Sequence, residues 1–330
     1  MAESEFDIIR HYFAGHRAGR GDVLAGIGDD AALLQVPSGR VLAVCMDTLV
    51  AGVHFPPNTA AAAIGHKALA VNLSDLAAMG AEPAWATLAL TVPDNDPAWL
   101  AAFSDAFFAL ADRYAVQLVG GDTTHGPLTI TVQAHGFVIP GQALRRQGAR
   151  PGERIYVTGT LGDAGLALRM NAPGESRLRE RLDFPQPRIE AGLLLREYAS
   201  AAIDISDGLL ADLGHLLEGD RLGASLQIDA LPRSDAFLAV MQAMDPQRRR
   251  LFHELPLSAG DDYELCFTVA EKFCGELEER FAGIPGGCRW IGVVETAPGI
   301  RCYTDDGTPY RPAETGYQHF SGTACGVTDE

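Results

Sequence analysis

The chain is short of lysine. Lys67 and Lys272 are the only two in 330 residues. Neither follows a glycine in a G-x-x-x-x-G-K-[ST] arrangement, so the lysine-centred phosphate loop is absent and any nucleotide must be gripped another way. Basic charge is scarce in general: 26 Lys and Arg stand against 43 Asp and Glu, a formal net charge of −17. That balance excludes the broad cationic footprint of a nucleic-acid binder and disfavours anionic membrane surfaces. No run reaches the roughly 18 continuous apolar residues of a membrane-spanning helix. The opening Met1-Ala2-Glu3-Ser4-Glu5 is acidic and lacks the basic start and apolar stretch of an export signal. The six cysteines (Cys45, Cys266, Cys274, Cys288, Cys302, Cys325) contain no C-x-x-C pair. Several lie in apolar strand-like runs, so buried, reduced thiols are expected rather than a zinc site or disulfide framework. No nucleic-acid partner, no membrane and a cytoplasmic location are the resulting expectations.

What is present is enough apolar material for a large core: 47% hydrophobic against 21% charged residues. At roughly 100–200 residues per domain, the length predicts two domains. The stretch Gln147-Gly148-Ala149-Arg150-Pro151-Gly152-Glu153 replaces the apolar pattern with Gly, Pro and charge, which puts the boundary between 1–148 and 149–330. In the first half, strands are predicted at 41–46 (with Asp47 at the end), 85–92, 116–119 (running into Gly120-Gly121-Asp122) and 128–139. Helices are predicted at 60–79, stopped by Gly80, and at 97–114, opened by Asp96 as a cap. In the second half, strands are predicted at 154–158, 202–205, 225–228, 263–269 and 290–294. A helix follows Gly159-Thr160-Leu161-Gly162-Asp163, another spans 209–217, and the polar stretch 171–188 reads as a helical excursion or exposed loop. Mixed elements in both halves predict an α/β (α+β) fold with sheets covered by helices. Trp85, Trp99, Phe103, Phe107 and Phe108 fit buried faces, and Arg248-Arg249-Arg250 reads as a solvated face rather than a phosphate patch.

Aspartates recur where an unpaired carboxylate is costly to desolvate. Asp29 and Asp30 follow Gly26-Ile27-Gly28, Asp122 follows two glycines, Asp204 and Asp207 flank Ser206, and Asp261 and Asp262 follow Gly260. Asp75 lies inside the Ala/Leu helix, three residues from Asn72 and on its face. One such residue is most simply a cap or turn former. Several at strand ends, without Cys or His, match a hard cation such as magnesium, and adjacent glycines let backbone amides approach phosphates.

Seven segments in order carry a specific likeness. They are Gly26-Ile27-Gly28-Asp29-Asp30-Ala31-Ala32, the run from Asp47-Thr48 through His54-Phe55, and the helix segment from Lys67 through Val71-Asn72-Leu73-Ser74-Asp75 to Gly80. Gly120-Gly121-Asp122-Thr123-Thr124, Tyr156-Val157-Thr158-Gly159, Ile203-Asp204-Ile205-Ser206-Asp207-Gly208-Leu209 and Asp262-Tyr263-Glu264-Leu265 complete the set. Across nearly its whole length the chain resembles the thiamine-monophosphate kinase family, of the aminoimidazole ribonucleotide synthetase-like superfamily. The resemblance implies a two-domain fold whose N-terminal sheets pair into a barrel in a homodimer, beside a C-terminal α/β domain. It implies ATP-dependent phosphorylation of thiamine monophosphate to thiamine diphosphate, with several Mg2+ ions. By matching positions, Asp30, Asp47, Asp75, Asp122, Asp204 and Asp207 would bind metal, with Thr48 and the backbone around Met46 assisting. Gly121, Asp122, Arg146 and Ser206 would hold ATP; His54, Asp261 and Tyr317 would line the substrate site. No general acid or base is implied, and Asp47 and Asp122 would be the most critical residues. The chain departs from the family in having Asp261 where Glu is frequent, and Cys45 and Met46 where Ser or Thr is frequent. The rival readings are another ATP-using synthetase of the superfamily, a metal-dependent phosphatase, and a non-catalytic metal-binding or assembly protein.

Overall fold

Two large sheets, one on each side of residues 139–153, organise the chain in a computed structural model that describes residues 4–16, 19–172, 176–245, 248 and 250–318. The first sheet has four strands in the order β3-β6-β4-β5: β3 (Val41–Val50), β4 (Glu82–Val92), β5 (Gln117–His125) and β6 (Thr129–Val138). Its strands are antiparallel except for the parallel pair β4 and β5. A small hairpin of β1 (Val23–Ala25) and β2 (Leu33–Leu34) lies over one face, where Val23, Ala32 and Leu34 pack on Trp85 and Phe137.

The other face carries α2 (Ala61–Ala78), buried nearly all round, and α3 (Pro97–Arg113) packed against it. Ala and Leu make α2 a strong helix, and a helix apolar on every side belongs in a core. Gly80, at φ +60°, ends it in a Schellman cap: Ala81 N–H donates to the Leu76 carbonyl at 2.7 Å and Gly80 N–H to that of Ala77 at 2.9 Å. Asp96 caps α3 through Ala98 N–H. Phe103, Phe107, Phe108 and Trp85 are buried as expected, with Trp99 half-buried against the same core.

The second sheet has seven strands in the order β13-β12-β9-β11-β7-β10-β8. In chain order they are β7 (Arg154–Thr158), β8 (Ala199–Ile205), β9 (Gly223–Gln227), β10 (Glu264–Val269), β11 (Cys288–Glu295), β12 (Gly299–Tyr303) and β13 (Pro309–Tyr310). Its helices are α4 (Asp163–Arg169), α5 (Arg177–Asp183), α6 (Ile189–Leu195), α7 (Leu209–Glu218), α8 (Asp235–Ala243), α9 (Leu251–Ser258) and α10 (Cys274–Phe281). A short α1 (Glu5–Ile8) precedes them all. One core cluster runs through both halves, joining Leu76 and Ala77 to Ala191, Leu195 and Phe267.

Two sequence expectations need correction. The strand expected to stop before Asp47 continues to Val50, paired residue for residue with β6; the one expected to stop before Gly120 continues to His125, paired with β4. Polar residues ended the apolar pattern, but ladder hydrogen bonds carried both strands onward, so Asp47 and Asp122 stand within strands rather than at their ends. The polar stretch 171–188 contains α5, whose Leu178 and Leu182 are buried. Its Arg181 and the following Arg188 both pair with Glu264, a fully buried carboxylate that also accepts from Thr158 Oγ1 at 2.6 Å.

Candidate active site

Edge strand β8 of the second sheet lies against α2, and that contact builds the site. Ser74 Oγ on α2 donates to Asp204 Oδ2 on β8 at 2.8 Å. The Cys45 thiol of β3 donates to the Asn72 carbonyl of α2 at 3.3 Å, which sets the Cys45 and Asp47 side of that strand toward the helix. Burial raises the Cys45 thiol far above its ordinary range, with the negative charges of Asp75 and Asp47 adding to it.

The charges of Asp204 and Asp47 act on Asp75, that of Asp47 acts on Asp204, and that of Asp207 acts on Asp47. Burial, then Asp204 and Asp47, push the Asp75 carboxyl up to about 8, against the pull of Arg146. Burial raises Asp204 to about 6; the Ser74 hydrogen bond and Arg146 oppose the shift while Asp47 adds to it. Asp47 is raised by burial and by Asp207. Arg146 is brought in by the segment before β7, because Ala202 N–H on β8 donates to the Arg145 carbonyl at 2.9 Å. Three elements distant in sequence thus aim carboxyl groups at one region.

The Ser206–Asp207–Gly208 turn after β8 is held by Asp212, which sequence reasoning passed over as part of a helix. Its Oδ2 accepts three successive amides, from Ser206 and Asp207 at 3.0 Å and Gly208 at 3.1 Å. Burial raises Asp212 to about 7, with Asp204 and Asp207 adding to the shift. The signal was the S-D-G-x-x-x-D spacing, which returns a carboxylate one turn into α7.

The Asp261 N–H donates to the Ser206 carbonyl at 2.8 Å, and the Tyr317 N–H to the Asp207 carbonyl at 2.9 Å, so both expected substrate residues lie along this turn. His319 and Phe320, which follow Tyr317, lie outside the described residues, as do Cys325 and Arg249. His54 sits in the turn after β3, where its Nδ1 accepts the Val50 N–H at 3.0 Å; the neutral ring therefore carries its proton on Nε2. Gly121, at φ +153°, lies so close to the Leu88 carbonyl that a Cβ would overlap it, so the backbone beside Asp122 admits only glycine.

Other expected residues are placed differently. Strand alternation turns the Met46 and Thr48 side chains to the face opposite Asp47, and Thr48 Oγ1 is hydrogen-bonded to Thr131 Oγ1 at 2.8 Å. Asp30 and Asp122 are exposed, and neither is among the charges that shift Asp47, Asp75 or Asp204. Among the described residues, no three His, Cys, Asp or Glu side chains form a group arranged to hold a metal.

The donor set still fits a hard cation. It is all oxygen, burial and then mutual repulsion raise the Asp75 and Asp204 carboxyls with Arg146 as the opposing charge, and beside it the buried Asn72 Oδ1 has no hydrogen-bond partner among the described residues. A bound Mg2+ would satisfy such oxygen atoms.

Residues 28–138 match the family model for the N-terminal domain of AIR synthase related proteins. The chain is 49% identical to the thiamine-monophosphate kinase of Salmonella typhimurium, over 97% of this chain and 99% of that protein. The solved thiamine-monophosphate kinase of Stenotrophomonas maltophilia K279a superposes with a TM-score of 0.80 at 47% identity, covering 87% of this chain and 92% of that one. A structure of AaThiL in complex with AMPPCP and TMP superposes with a TM-score of 0.72 at 29% identity, over 86% of this chain and 89% of that one. Ordered motifs, converging carboxyls and near-complete alignment agree: the chain belongs to the thiamine-monophosphate kinase family.

Proposed function

We propose that this protein transfers the γ-phosphoryl group of ATP to thiamine monophosphate, giving thiamine diphosphate and ADP. The observation that carries the reading is the convergence of Asp47, Asp75, Asp204 and Asp207 from two sheets and the helix between them. The AaThiL complex with AMPPCP, an ATP analogue, and TMP supports the same pair of substrates.

The acceptor needs no general base, because a phosphate monoester near neutral pH already carries about −1.5 to −2 of charge. Its oxygen forms the new bond to the γ-phosphorus as the bond to the β–γ bridging oxygen breaks, and the electron pair leaves with ADP. The obstacle is repulsion between two polyanions. Mg2+ bound by Asp30, Asp47, Asp75, Asp122, Asp204 and Asp207 would neutralise that charge. The protein's own groups align the partners: Gly121 presents backbone, Arg146 and Ser206 hold phosphate, and His54 offers its Nε2–H to the acceptor beside Asp261 and Tyr317. Positioning and electrostatics supply the catalysis, with no covalent enzyme intermediate.

The rest of the proposed assignment is a boundary between 1–148 and 149–330, action in the cytoplasm, and a homodimer formed through the N-terminal sheet. The exposed apolar row Leu42, Val44 and Met46 on edge strand β3 supports that interface. No helix among the described residues is long and apolar enough to cross a membrane.

The deciding experiment follows thiamine diphosphate formed from thiamine monophosphate and ATP, with and without Mg2+. Magnesium-dependent product supports the kinase; phosphate released without the second substrate would turn the reading to a phosphatase.

A further inference from the structure

Lys67 is used by none of these assignments. It sits on α2 at 4% exposure, and its Nζ donates to Asp261 Oδ1 at 2.8 Å, so a helix of the first sheet is tied to the loop before β10. The Tyr263 hydroxyl donates to the same oxygen at 3.0 Å, and the ammonium group lies 5.8 Å from the centroid of its ring. A buried ammonium is costly unless paired and hydrogen-bonded, and here both conditions are met by one carboxylate and one aromatic face.

The loop itself is held in an uncommon backbone shape. Asp261 has φ +61° and Tyr263 +50°, a region that is strained for a non-glycine residue and persists only where the surroundings impose it. From below, Asp261 N–H is fixed to the Ser206 carbonyl and Tyr263 N–H to that of Ile205, each at 2.8 Å. From above, Lys67 fixes the side chain. Among the described residues both side-chain hydrogen bonds of Asp261 use Oδ1, while the side chain keeps 30% exposure. The two oxygens are therefore differentiated: Oδ1 is committed to the protein and Oδ2 is the one available to a ligand.

We propose that Lys67 is a positioning residue for the acceptor substrate, holding the Asp261 carboxylate so that its second oxygen meets the cationic, amino-bearing end of that molecule. This rests on Asp261 facing the acceptor. Lys67 touches no reacting atom; it acts through Asp261, so its removal alters acceptor binding and leaves the nucleotide side of the site in place.

The test compares the full-length enzyme with Lys67→Met, Lys67→Arg, Asp261→Asn and the double variant Lys67→Met/Asp261→Asn, reading KM for each substrate and Tm. Losing a charged hydrogen bond predicts that Lys67→Met raises KM for thiamine monophosphate about tenfold or more, with KM for ATP changed less than about twofold. Lys67→Arg recovers part of the loss. The double variant is no worse than Asp261→Asn alone, because both substitutions break one interaction. Equal rises in both KM values, or additive losses in the double variant, overturn the proposal in favour of a purely structural tie. An unchanged acceptor KM in Asp261→Asn overturns the placement of Asp261, and the proposal with it; a silent Lys67→Met beside a damaged Asp261→Asn overturns the Lys67 role alone. Should Lys67→Met fail to fold, the comparison of Asp261→Asn with the charge-free double variant decides.

Discussion

Asp212 lets the consequence of a single side chain be stated sharply. One oxygen gathers three amides of the turn that carries Ser206 and Asp207. Asp212→Leu leaves the buried Gly208 donor without an acceptor, at about 1–3 kcal/mol, and strips the half-buried Ser206 and Asp207 amides of theirs, whereas Asp212→Asn keeps an oxygen in place. The expected outcome is a large fall in kcat and a raised KM for ATP in the leucine variant, with the asparagine variant close to wild type; similar kinetics in both would remove Asp212 from the orientation of the turn. The raised carboxyls give a second residue-level prediction. With Asp75 near 8 and Asp204 near 6, Asp75 is mostly protonated at pH 7 without metal, and a cation that needs the carboxylate must expel the proton. Binding of Mg2+ should therefore release protons at pH 7 and tighten as pH rises from about 6 to about 8. Calorimetry in two buffers of different ionisation enthalpy reads this directly, and identical heats would count against Asp75 as a ligand. The same shifts destabilise the metal-free fold at high pH. These folded-state values lie above the unfolded carboxylate value, so the stability they contribute is full below about 4 and is lost as pH rises through the 6 to 8 range.

Among the elements, what the sequence disclosed and what it hid have physical causes. The helix around Asp75 was legible because an Ala/Leu run with a Gly stop has one interpretation. The ends of β3 and β5 were not, because Asp47-Thr48 and Gly120-Gly121-Asp122 break an apolar pattern while the backbone goes on pairing with β6 and β4. The motifs named the residues, yet only the contact of β8 with α2 brings Asp204 near enough for its charge to act on Asp75. The polar stretch holding α5 concealed its role, since Leu178 and Leu182 are the only buried residues of that helix and arginines stand around them. Arg181 and Arg188 converge on Glu264 at 0% exposure, and breaking a buried pair costs about 3–5 kcal/mol. Glu264→Gln should lower Tm markedly and release α5 to amide exchange and proteolysis before the rest of the second sheet. Uniform exchange through that sheet would show that Glu264 anchors no particular element.

At the scale of the whole molecule, β3 has a neighbour, β6, on one side only among the described residues. As an edge of its sheet, the ten-residue β3 presents unpaired backbone groups and, on the side away from α2, the row Leu42, Val44 and Met46. Monomeric proteins blunt such edges with charge, proline or a covering element; this row has none of these within it, and Leu24 and Leu33 of the hairpin β1–β2 add more exposed apolar surface. A second copy of the chain meeting β3 would cover it, and because Asp47 belongs to the same strand, pairing would also fix the strand that carries this proposed metal ligand. Val44→Asp places a charge in the middle of the row without touching the face toward α2. The wild-type protein is expected to sediment as a dimer at micromolar concentration and the variant as a folded monomer with reduced turnover. A monomeric wild type would dissolve the interface, and a monomeric variant with full activity would separate dimerisation from catalysis, leaving each site to be built by its own chain alone.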